Sequence, residues 1–137
     1  VEVRVDGKGG LVPIEINPLR FGGMCTTADL ACHAYGYNPY EYCFRQRKPD
    51  WDSLLRGREE HVYGLVVLNN STGIEPGRIT GFDYEALERS FAEVLEIRRV
   101  NYRELHFFGF AFIRSRKDNY RELENILHSD LREFVTT

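Results

Sequence analysis

The chain has few cysteines, no long apolar run and no surplus of positive charge, and each shortage removes a class of protein. Cys25, Cys32 and Cys43 are the 3 cysteines in 137 residues, and none has Cys-x-x-Cys spacing. That argues against both a disulfide framework and a structural zinc site. His33 beside Cys32 invites a metal reading, but a Cys next to a helical His is more often a packing pair. The longest apolar runs, 65–68 and 107–113, fall well short of the roughly 20 residues that span a bilayer, so no membrane partner is expected. Lys plus Arg number 18 against 21 for Asp plus Glu, a net charge of −3. A generally basic protein built to coat phosphate backbones is therefore excluded. The basic clusters at 98–103 and 114–117 are interrupted by Glu96, Glu104 and Asp118, the pattern of a solvated face, and no nucleic acid partner is expected. Nothing resembles a signal peptide, and the expected address is the cytoplasm.

Composition is otherwise that of an ordinary globular protein, with 42% hydrophobic and 28% charged residues. The length fits a single domain over 1–137 that buries roughly two-thirds of its unfolded surface. Val1 to Val5 alternates apolar and polar, Asp6 to Gly10 supplies turn chemistry, and Leu11 to Ile16 continues as a second strand, which predicts a hairpin. Pro13 lacks an amide donor, so the second strand should bulge or turn that edge outward. Thr26 or Thr27 can cap a helix closed by Gly36, and Asn38-Pro39 opens another. A short helix is expected over 50–55, a buried strand over 61–69, an Asp83-capped helix over 84–91, a strand over 94–102 with a helix as the alternative because Glu, Leu and Arg favour it, and a strand over 107–114. The clearest helical periodicity runs over 118–135, through Leu123, Ile126, Leu127, Leu131 and Phe134. The expected class is α+β, a mainly antiparallel sheet with flanking helices.

Functional residue types are densest at Glu15-Ile-Asn17, the end of the second strand. Positions i and i+2 of a strand share a face, so a carboxylate and an amide oxygen project together. That donor set suits Mg²⁺, which takes oxygen ligands and leaves room for phosphate and water. The partner strand brings Glu2 to the same neighbourhood. Arg20 follows, then Phe21-Gly22-Gly23 leads to a Thr-capped helix. A helix N-terminus approached through glycines forms an anion site, and Arg20 adds a planar donor fork. Metal-ligand candidates followed by an anion site are what phosphoryl transfer requires.

These residues carry a resemblance. Val12-Pro-Ile-Glu-Ile-Asn-Pro-Leu-Arg-Phe-Gly-Gly23 resembles the C-terminal catalytic segment of the ATP-grasp superfamily of carboxylate–amine/thiol ligases. In that family an acidic residue on one strand precedes a turn, a strand ending in Glu-x-Asn, and a loop with Arg or Gly before a helix. The upstream acidic position falls here on Glu2 rather than on Asp6, the turn residue. The resemblance implies that Glu2, Glu15 and Asn17 bind Mg²⁺, or Mn²⁺ in its place, bridging the phosphates of ATP. It implies that Arg20 faces the phosphate or the acylphosphate formed on a substrate, and that Gly22, Gly23 and Thr26 help seat that substrate. The fold would be the C-terminal subdomain of an ATP-grasp enzyme, and the partners a small-molecule carboxylate and an amine or similar nucleophile.

The family's glycine-rich phosphate loop and its lysines lie before the metal hairpin, which here starts at residue 1. The expectation is therefore the C-terminal part of a longer ligase, completed by an N-terminal region of the same protein or by a separate chain, with a homodimer as a further arrangement. The rival reading is a non-catalytic binding or assembly domain whose hairpin carboxylates are surface features.

Overall fold

A computed structural model describes residues 2–16 and 26–137. Asp6 builds the first turn: its Oδ1 accepts from Lys8 N at 2.8 Å and Gly10 N at 2.7 Å. Gly9 enters the left-handed region there at φ 81°, which glycine does at no steric cost. Around this turn β1 (Glu2–Val5) and β2 (Leu11–Glu15) pair antiparallel. The register runs Val5 to Leu11, Arg4 to Val12 and Val3 to Pro13, then slips so that Glu2 pairs with Glu15. Ile14 is thus an extra residue beside Pro13, the bulge that the missing amide anticipates.

Thr26 is the first residue of α1 (Thr26–Tyr35) rather than its cap, and Gly36 closes the helix at φ 64°. Asn38 caps α2 (Pro39–Phe44), its side chain accepting from Tyr40 N and Glu41 N, with Pro39 in the first turn. Asp50 caps α3 (Trp51–Leu55) through Ser53 N. Then come β3 (His61–Asn69), β4 (Gly81–Phe82), α4 (Tyr84–Arg89) capped by Asp83, β5 (Val94–Arg99), β6 (Phe107–Arg116), α5 (Tyr120–His128) and β7 (Val135–Thr136). The central sheet has the order β3-β6-β5 with both pairings antiparallel, and β4 pairs antiparallel with β7. The architecture is α+β with antiparallel sheets and flanking helices.

The continuous helix expected over 118–135 is not formed. The chain leaves helical geometry at Ser129 (φ −66°, ψ 139°), and Asp130 caps a separate 3₁₀ turn, Leu131–Phe134, by accepting from Arg132 N. The apolar period runs through the break although burial does not follow it evenly, Leu131 being 8% exposed and Leu127 81%; periodicity reports amphipathic patterning rather than helix continuity. The strand expected over 94–102 likewise ends at Arg99. The helix expected over 84–91 ends at Arg89.

The core gathers Leu68, Ile79, Phe82, Tyr84, Leu87, Phe108 and Leu131. Phe108 is the extra residue of a bulge opposite Leu68 and Asn69, which pair with Gly109 and Phe107. Strict alternation would send Phe108 to the side of Phe112, where α1 packs its His33 ring at 4.9 Å. The bulge instead delivers Phe108 to the core, where it stacks on Phe82 at 4.2 Å and its carbonyl accepts from Tyr84 Oη at 2.7 Å. Gly109 makes the bulge, with φ 143°. Burying a ring of this size contributes about 1.5–3 kcal/mol, and both Phe108 and Phe112 are fully buried. Both rings belong to the core.

Candidate functional site

The hairpin stands apart from this core. Residues 3–16 are all exposed, including the apolar Val5 at 63%, Leu11 at 69% and Ile16 at 68%. Its open end carries the Glu2–Glu15 pair. Residues directly opposite in an antiparallel ribbon share a face, so these two sequence-selected positions are brought together. Asn17, Arg20, Gly22 and Gly23 lie outside the described residues, as does Cys25. Thr26 is placed at the start of α1 and is 1% exposed. Among the described residues no group of three or more His, Cys, Asp or Glu side chains could hold a metal ion. The hairpin positions offer two carboxylates, and the Mg²⁺ set inferred from the sequence needs the Asn17 amide as its third donor.

A second polar cluster lies on the face of the sheet that α1 covers, and sequence reasoning missed it. Glu96 on β5 accepts from Arg98 Nε at 2.9 Å and lies 2.7 Å from His33 Nε2. Arg98 also donates to Asp29 of α1 at 2.6 Å, and its guanidinium sits over the Phe112 ring at 5.1 Å. Burial pushes the Glu96 carboxyl up, but the hydrogen bonds from Arg98 and His33 outweigh it, holding the carboxyl below its ordinary range. The cluster fastens α1 to the sheet and accounts for His33 without a metal. Positions i and i+2 of a strand share a face, so Glu96 and Arg98 project together from β5; nothing local in the sequence indicates that Asp29 and His33 arrive over them. Three other basic residues of the interrupted clusters are similarly engaged: Arg114 pairs with Glu93, Arg116 with Asp118, and Arg99 lies over Tyr84.

Cys32 and Cys43 are free and exposed. No helix among the described residues is long and apolar enough to cross a membrane. On the opposite face of the sheet a cavity of about 740 Å³ opens beneath α5, with walls from β3, α4 and the Leu131–Phe134 turn. The chain matches no protein family, no curated protein and no solved structure.

Proposed function

We propose that this chain is the metal-hairpin portion of an ATP- and Mg²⁺-dependent ligase that activates a carboxylate as an acylphosphate for attack by an amine or similar nucleophile. The observation that carries the reading is the pairing of Glu2 with Glu15 at the open end of the hairpin, one residue short of Ile16-Asn17. Like charges directly opposite in a ribbon cost stability, and a divalent cation between them reverses the sign. Glu2, Glu15 and Asn17 would hold Mg²⁺, which neutralises the polyphosphate as the phosphoryl group moves. Arg20 would bind the carboxylate and then its acylphosphate, and Gly22 and Gly23 would line the substrate's approach; Thr26, buried at the start of α1, would not. The remaining half of the nucleotide site, in this reading, comes from sequence preceding the hairpin or from a second chain.

In the full-length ligase, Glu15→Ala and Asn17→Ala should each abolish Mg²⁺-dependent ATP turnover, and unchanged turnover in both sinks the assignment. The 137-residue chain alone should bind ATP–Mg²⁺ weakly, and micromolar affinity by calorimetry would refute the half-site argument.

One observation favours the rival assembly reading, namely the apolar side chains exposed along the ribbon. An assembly module would keep its partner after Glu15→Ala and lose it after Val5→Lys, the reverse of the ligase pattern.

A further inference from the structure

The cavity beneath α5 has the make-up of a ligand site, and it is separate from the hairpin. The strongly amphipathic helix α5 does not bury its apolar stripe. Leu127 is 81% exposed, and Ile126 and Leu127 look into the cavity with Val66, Leu87, Phe91 and Phe134 across from them. A helix patterned to bury an apolar face ordinarily closes onto its sheet. Here Glu122 holds α5 by its first turn: Oε1 accepts from Ala92 N at 2.7 Å, and Oε2 accepts from Asn119 Nδ2 at 2.9 Å and from Ser115 Oγ. The space left, about 740 Å³, lies inside the roughly 300–1,000 Å³ range of small-molecule pockets.

The polar groups in its lining select the ligand's head. Arg121 is the cation in the lining, and among the described residues it pairs with no carboxylate. Glu122 beside it is committed to its anchoring bonds. Glu133, on the Leu131–Phe134 turn, is the other lining carboxylate. A guanidinium fork matches a carboxylate in two parallel hydrogen bonds, and the apolar walls behind it accept a hydrocarbon body. We infer that this cavity binds an amphiphilic carboxylate, a medium-chain acyl or comparable apolar acid, with its head at Arg121 and its tail against α4 and β3.

The test is calorimetric titration of the whole chain with dodecanoate below its micelle concentration. A saturable one-site isotherm is expected. Arg121→Gln, a change at an exposed position, should weaken dodecanoate about tenfold and leave the uncharged dodecanol unaffected. Asn125→Trp, which fills the cavity from the exposed side of α5, should weaken both ligands. No saturable heat with dodecanoate, equal affinity for Arg121→Gln and the native chain, insensitivity to Asn125→Trp, or tighter binding of dodecylamine than of dodecanoate would each overturn the proposal. None of these results bears on the hairpin, whose failure as a metal site would leave them unchanged.

Discussion

His33 Nε2 lies 2.7 Å from Glu96 Oε2, which ties the helix that follows the candidate catalytic loop to the edge strand of the central sheet. Arg98 approaches the same carboxylate from its other side at 2.9 Å. Helix α1 is therefore held to the sheet by an electrostatic clasp as well as by the contact of His33 with Phe112.

The clasp carries a pH signature. Glu96 is held below its ordinary value of 4.5, so the folded state binds the proton less readily than the unfolded chain. Its contribution is complete above that ordinary value and is lost as pH falls through the lower folded value. The stability gap between the native chain and Glu96→Gln should be widest near neutrality and shrink between about pH 5 and pH 3. Thermal melts at a series of pH values read this directly, and a constant gap contradicts it.

Gly109→Ala should be severe. A Cβ there would overlap the Arg98 carbonyl oxygen, on a backbone at φ 143°, and neither strand can move without breaking the β5–β6 ladder. A loss above about 3 kcal/mol in urea unfolding is expected. At Gly77 a Cβ meets nothing within 4 Å, and Gly77→Ala should stay within about 0.5 kcal/mol.

Tyr84→Phe removes one buried hydrogen bond and little else. The hydroxyl donates to Phe108 O at 2.7 Å, and its loss should cost about 1–2 kcal/mol by the same assay. Burial, with Tyr102 adding and Arg99 opposing, also raises the phenol above its ordinary value. Tyr84 should accordingly be among the last phenols to ionise in an alkaline absorbance titration.

Glu15→Ala should leave the stability of the main body within about 0.5 kcal/mol of the native chain, because residues 3–16 are exposed and contribute nothing to the core. If the hairpin binds Mg²⁺, millimolar Mg²⁺ should shift the amide resonances of residues 2–16 in the native chain. The same addition should leave them unmoved in Glu15→Ala.

Much of the fold was legible wherever the signal was local. The strand at His61–Asn69 and the caps Asn38, Asp50 and Asp83 follow from short-range patterning and side chains that hydrogen-bond their own backbone. The break at Ser129 was not legible. Leu131 and Phe134 continue the period of Leu123 and Ile126, and the competing pull comes from β7 pairing with β4, distant in sequence. The Phe108 bulge was hidden for a similar reason: a run of phenylalanines reads as core on either face, and only the partner strands fix which ring goes where. Of the candidate site, the sequence brings Glu2 near the end of the second strand, but its register against Glu15 depends on the turn and on the bulge beside Pro13, and only the paired strands fix it. The Asp29–Arg98–Glu96–His33 cluster joins residues 63 and 69 positions apart, beyond the reach of any spacing rule.

The two-stranded hairpin has consequences for the protein in a test tube. Among the described residues this ribbon has no neighbouring strand, and such a ribbon presents the amides and carbonyls of its edges in addition to the valines, leucine and isoleucines on its faces. Such edges add to one another when crowded. The concentration at which this acidic protein stops behaving as single molecules should therefore be set by the hairpin rather than by net charge. Lysines substituted at Val5 and Leu11 should raise that ceiling while leaving the core sheet untouched.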